Sequence, residues 1–292
     1  MSDFDLIENA TAPGAESLLI VHAQNRSERL IVPALCDLGF SLANRPRQLV
    51  CLDSGSGDDH RNLENITGRE VGKITIPEAG PGFLNRSAQD DAKLDCLARS
   101  LVKYDLVVEA TPDVGVELLH RWSRFRDLQA LLRQGYRAPQ LIVTLSLHDS
   151  TFREPYDLFE ALGGFQREVG FEITCVILDR KHDQDSGLDW DGMNYCISVL
   201  EKRARVRFLT VSYCYSGLFE HVRSGSLSLS EACSDDVRKF ADLAVDSGSG
   251  WTGDVLAQFE QRELLEWAFE SISGFRKLGL VPDPPTDLGE AA

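Results

Sequence analysis

The residues that could do chemistry lie mostly at the ends of short apolar runs. The first run, Leu18–His22, leads into Val21-His22-Ala23-Gln24-Asn25-Arg26-Ser27-Glu28-Arg29. A loop that cradles phosphates needs glycines so that backbone N–H groups can curl around the anion. It also needs a lysine to reach the anion and a Ser or Thr for magnesium. This stretch has neither glycine nor lysine. What it offers is Asn25, Arg26, Ser27 and Arg29: two cations, an amide and a hydroxyl that could cap the following helix. A plain strand-to-helix connection accounts for the same residues. The second run ends Leu52-Asp53-Ser54-Gly55, where Asp53 could hold a ribose hydroxyl or a metal-bound water, although Asp-Ser-Gly is also ordinary turn chemistry. A third run ends Val108-Glu109-Ala110-Thr111-Pro112-Asp113, which brings Glu109 and Asp113 close to a helix start.

Other chemistry is sparse. The six histidines show no HExxH or clustered ligand spacing. His148-Asp149 and His182-Asp183 follow apolar runs, so they and Asp179 could serve a small-molecule enzyme at a sheet edge. No GxSxG elbow is present. The seven cysteines are odd in number, widely spaced and without a CxxC pair, so they read as reduced, buried thiols. Basic residues cluster twice, as Arg121, Arg124, Arg126, Arg133 and Arg137, and as Lys202, Arg203, Arg205 and Arg207. Each cluster is either a solvated face or a docking point for an acidic partner.

The elements that position these residues follow from periodicity. Runs at Leu18–His22, Gln48–Asp53, Gly72–Pro77, Asp105–Ala110, Gln140–Leu147, Glu172–Asp179 and Val206–Tyr213 are apolar on consecutive positions, as strands covered on both faces are. Helical spacing fills the gaps: Leu30–Leu42, Leu94–Leu101, a segment marked by Leu118, Trp122, Phe125 and Leu132, then Leu158–Phe165 and Trp190–Leu200. Val237–Ala244 follows with Ser234 as N-cap, and a long last helix starts near Thr252. The expectation is an α/β fold, a mostly parallel sheet of about seven strands with helices on both faces in three layers. It spans one domain over 15–281, with a flexible acidic segment at 1–14 and a flexible tail at 282–292. Ligands of such sheets bind beyond the carboxyl ends of the strands.

Composition narrows the function. The 292 residues carry 46 acidic against 30 basic side chains, a formal net charge of −16. Nucleic-acid binding draws on surplus Lys and Arg, so neither it nor an anionic membrane surface suits this balance. No run approaches the ~20 apolar residues of a membrane span, and the N-terminus lacks the positive charge of a secretory signal. A cytoplasmic location is expected.

Tyr104-Asp105, the apolar run after it, Thr111-Pro112 and Gly115 together resemble the ParA/MinD-type P-loop ATPases, which carry Tyr-Asp, a strand, Asp-Thr-Pro-Pro and a glycine. Ala110 stands where the family has aspartate, and Asp113 replaces the second proline. Asp53 falls near the family's switch position, Asp179 near its base pocket, and Leu229-Ser230-Glu231-Ala232 matches its Leu-Ser-Glu-Ala element. The resemblance covers roughly residues 16–235. It implies a P-loop-type fold and, with the loop lysine gone and the metal side altered, a pseudo-ATPase without cofactor. Asn25, Arg26, Ser27, Arg29, Asp53 and Asp113 would be vestiges of its nucleotide site. Such a protein would act through protein partners, in plasmid transfer, partition or positioning. A homodimer is compatible with it, through a surface other than the nucleotide face. The alternative is a nucleotide-binding ATPase with a non-standard phosphate loop, in which Arg26 or Arg29 replaces the lysine and Glu109 or Asp113 holds metal.

Overall fold

The computed structural model describes residues 16–23, 27–55, 58–76, 88–123, 126–134, 139–146, 155–179, 190–233, 236–241 and 253–284. Within them, seven parallel strands form one sheet in the order β3-β2-β4-β1-β5-β6-β7. The strands are β1 Leu18–His22, β2 Gln48–Asp53, β3 Val71–Thr75, β4 Leu106–Ala110, β5 Gln140–Ser146, β6 Ile173–Leu178 and β7 Val206–Val211. Each falls within two residues of its sequence expectation at either end. Strands buried on both faces are apolar throughout, so their extents are easy to read from sequence.

Helices cover both faces, giving the three-layer α/β fold. On one side lie α3 (Ala88–Lys103), α4 (Pro112–Trp122), α6 (Pro155–Val169) and α7 (Trp190–Arg203). Their apolar residues, Leu94, Leu97, Leu118, Trp122, Leu162 and Phe165 among them, pack on Leu19, Val21, Val50, Val108 and Val143 of the sheet. On the other lie α1 (Ile31–Leu42), α2 (Asp59–Thr67), α8 (Gly217–Arg223), α9 (Leu229–Ala232) and α10 (Gly253–Lys277). There Leu35, Phe40, Leu63, Phe219, Ile272 and Phe275 meet Leu18, Ile20, Leu49, Val107 and Ile142. Successive residues of one strand thus serve opposite cores.

Three local readings change. The segment marked by Leu118 to Leu132 is two helices, α4 and α5 (Arg126–Arg133), with a turn at Ser123. The loop after Asp53 is short, because α2 begins at Asp59. Ser27 opens a 3-10 turn, Ser27–Leu30, and the N-cap position of α1 falls on Leu30, which gives no side-chain cap. Ser234, Ala244 and Thr252 lie outside the described residues, as do Pro77 and Leu147. Among the described residues, no helix is long and apolar enough to cross a membrane.

Candidate functional site

Period-2 alternation builds the site. On β1, Leu18 and Ile20 face the α1/α10 core, so His22 faces it too; by the same count Cys51 and Asp53 of β2, Glu109 of β4 and Thr144 of β5 project to that face. Register then brings them level. Ile20 pairs with Glu109, Cys51 with Glu109, and His22 with Thr144. The result is a polar group at the carboxyl ends of the four adjoining strands β2, β4, β1 and β5. The chain leaves β1 toward one edge of the sheet and later crosses from β4 to β5 on the other side. This is therefore the crevice where ligands of open α/β sheets bind.

The group is shut off from solvent, and its members approach one another without every contact being an aligned hydrogen bond: His22 Nε2 and Glu109 Oε1 make none among the described residues. His22 and Glu109 are fully buried, Arg29 is 3 % exposed and Thr144 is 3 % exposed. His22 Nδ1 lies 2.6 Å from Thr144 Oγ1, and His22 Nε2 lies 3.1 Å from Glu109 Oε1. The Cys51 thiol donates to Glu109 Oε2 at 3.0 Å. Arg29, in the 3-10 turn, places Nε 3.6 Å from Glu109 Oε1 and Nη2 2.5 Å from Asp59 Oδ2 in the first turn of α2. Beside this group, Asp53 is buried, accepts from the Gly55 N–H at 3.0 Å and has Lys73 Nζ 3.0 Å away.

Protonation follows from burial and neighbours. Burial, the largest influence, holds the His22 imidazole below its ordinary value of 6.5, against the pull of Glu109. Burial, the largest influence, would raise the Glu109 carboxyl; the His22 N–H, the Arg29 charge and the Cys51 thiol outweigh it and hold Glu109 below its ordinary value. Burial raises Asp59, opposed by Arg29, and raises the Cys51 thiol, reinforced by Glu109. The state that suits these contacts is a neutral imidazole with its proton on Nε2 toward the carboxylate and Nδ1 accepting from Thr144. A thiol held protonated by burial and a neighbouring carboxylate is a poor nucleophile.

The charge balance decides what the crevice can hold. Two cations, Arg29 and Lys73, face three carboxylates, Glu109, Asp59 and Asp53. Among the described residues no surplus positive charge remains for phosphates. At the start of α1, Leu30, Ile31 and Val32 are buried, and Pro33 has no N–H to give. Among the described residues, Thr111 at the N-cap of α4 finds no hydrogen-bond partner for its buried Oγ1.

Of the residues singled out from sequence, the structure brings Arg29 and Glu109 together, with Asp53 alongside. Asn25 and Arg26 lie outside the described residues, as do the side chains of Ser27 and Asp113, whose backbones lie in the 3-10 turn and α4. His148, Asp149, His182 and Asp183 also lie outside them. Asp179 follows β6, where its N–H bonds the Val211 carbonyl at 3.0 Å. His22, Cys51, Asp59, Thr144 and Lys73 went unassigned. The signal for the three strand residues His22, Cys51 and Thr144 was parity: each is polar or a thiol at a position whose strand neighbours two residues back face one core.

The sequence matches no family model and no curated protein. Solved structures with a similar backbone include the MinC:MinD cell division protein complex of Aquifex aeolicus, at 11% identity and TM-score 0.41 over 94% of this chain and 100% of that one. A nucleotide-binding protein from Archaeoglobus fulgidus, in complex with ADP, is similar at 10% identity and TM-score 0.38 over 72% and 86%. The signal recognition particle receptor FtsY from Elizabethkingia anophelis follows at 14% identity and TM-score 0.35, over 65% of this chain and 56% of that one. At these identities and TM-scores the likenesses carry no weight for activity, ligand or partner.

Proposed function

We propose that the chain is a non-catalytic relative of the ParA/MinD-type ATPases that acts through protein–protein contacts, in plasmid transfer, partition or intracellular positioning. One observation carries this reading. Where a phosphate loop would present its cation, Arg29 is buried between Glu109 and Asp59. Phosphoryl transfer depends on positioned positive charge meeting the charge of the transferred group. Here that charge is spent inside the protein. Glu109, the carboxylate that could have held a metal, is fully buried against His22, Cys51 and Arg29. A protein of this kind works in the cytoplasm, without a bound cofactor, and any homodimer would form through a surface other than the nucleotide face.

Substitution of the arginine separates a structural cation from a ligand cation. Arg29→Met leaves the buried Glu109 and the partly exposed Asp59 without their counter-charge, and breaking a buried pair in this way costs about 3–5 kcal/mol. The expected outcome is a loss of that order in urea-induced unfolding. A variant that keeps its stability but loses Mg·ATP binding present in the wild type would instead establish the nucleotide-binding alternative.

A further inference from the structure

The basic run before the last strand finds a use on the opposite side of the sheet. At the amino ends of β6 and β7, a hollow of about 570 Å³ is lined by Gln166, Arg167, Phe171, Glu172, Arg205 and Arg207, with neighbouring backbone. Three guanidiniums face one carboxylate. Arg207 is already engaged, with Glu172 at 3.1 Å and the Leu278 carbonyl at 2.9 Å. Arg167, in the last turn of α6, and Arg205 are exposed, and neither guanidinium has an ion-pair partner among the described residues. On a chain with 46 acidic side chains against 30 basic ones, a local surplus of positive charge is out of keeping with the rest of the surface.

We propose that this hollow docks an acidic, extended peptide segment of a partner protein. The proposal rests on the interaction-protein reading and supplies the chemistry of the partner. Three features favour a peptide. The hollow is open and its guanidiniums come from α6, the connection before β7 and β7 itself, an arrangement that spans several carboxylates better than it encloses one small ion. Its wall is preorganised, because the Gln166 side chain accepts from the Arg205 N–H at 2.6 Å and donates to the Arg205 and Phe171 carbonyls at 2.9 and 3.0 Å. A wall already fixed costs less ordering on binding. The hollow also adjoins β7, the last strand in the sheet order, whose outer edge pairs with no strand among the described residues. Such an edge offers backbone hydrogen bonds to an added extended chain, while side-chain pockets set specificity.

The test titrates the full chain into fluorescein-labelled hexaglutamate at low ionic strength and follows anisotropy. The wild type should bind saturably. The double variant Arg167→Glu/Arg205→Glu should bind about tenfold more weakly or worse, as expected for losing and reversing two contacting charges. A control with the same net charge change, Arg45→Glu/Arg262→Glu, should bind as the wild type does. Thermal unfolding verifies that both variants fold; if the first does not, Arg205→Gln alone should still weaken binding by about threefold. Absence of binding by the wild type would overturn the proposal, as would equal weakening in both double variants. Displacement of the peptide by inorganic phosphate at constant ionic strength would also overturn it, by showing a simple anion hole. None of these outcomes depends on nucleotide binding, so this proposal and the reading beneath it fail separately.

Discussion

At the scale of single residues, the crevice shows how a buried cation changes meaning with its neighbours. Arg29 reads from sequence as a substitute for a phosphate-binding lysine; in the fold it is the counter-ion of Glu109 and Asp59. His22 is the titratable member of the same group. Its imidazole is held below 6.5, so the unfolded chain takes up a proton first as the pH falls. The contribution of His22 to stability is therefore complete above 6.5 and is lost as the pH drops below it, through the folded-state value. Glu109, also held below its ordinary value of 4.5, adds its own loss only at more acid pH. Lowering the pH from about 7.5 to about 5.5 should cost the wild type more stability in urea unfolding than it costs His22→Gln, which has no imidazole to protonate. Equal losses would mean that the buried imidazole does not govern this window. The comparison between variants cancels the relief of acidic self-repulsion that both share.

At the scale of elements, motifs that resemble a family prove to have packing reasons of their own. Gly115 allows α4 to lie directly on β1: a Cβ there would stand 2.4 Å from Val21 Cγ1. The Leu-Ser-Glu-Ala element is a capping box, in which the Ser228 side chain accepts from the Glu231 N–H and Glu231 accepts from the Ser228 N–H. Gly115→Ala should destabilise the chain by about 1–3 kcal/mol in equilibrium unfolding, the usual range for overpacking a filled interface. Unchanged stability would show that α4 can withdraw from β1 at no cost. The strands and their parallel arrangement were legible because doubly covered strands are apolar along their whole length. Helix α2 was not. Its first residues, Asp59, His60 and Arg61, are polar, and of its buried residues Leu63, Ile66 and Thr67 only the first two are apolar. Missing that helix hid Asp59 as the partner of Arg29.

At the scale of the whole molecule, the polar crevice was out of reach of local sequence reading because it is assembled from strands, a 3-10 turn and a helix far apart in the chain. His22 and Thr144 are 122 residues apart, yet parallel register sets them side by side. Parity along each strand was readable; which strands would be neighbours was not, since the order β3-β2-β4-β1-β5-β6-β7 departs from chain order. The fold thus has the crevice of an open α/β sheet, where the described cations are already met by carboxylates, on a chain whose net charge of −16 already disfavours anionic ligands. Isothermal titration of Mg·ATP and of Mg·ADP into the full chain tests this most directly. The account predicts no saturable heat at millimolar nucleotide. Saturable binding that Arg29→Met abolishes in a folded variant would contradict it.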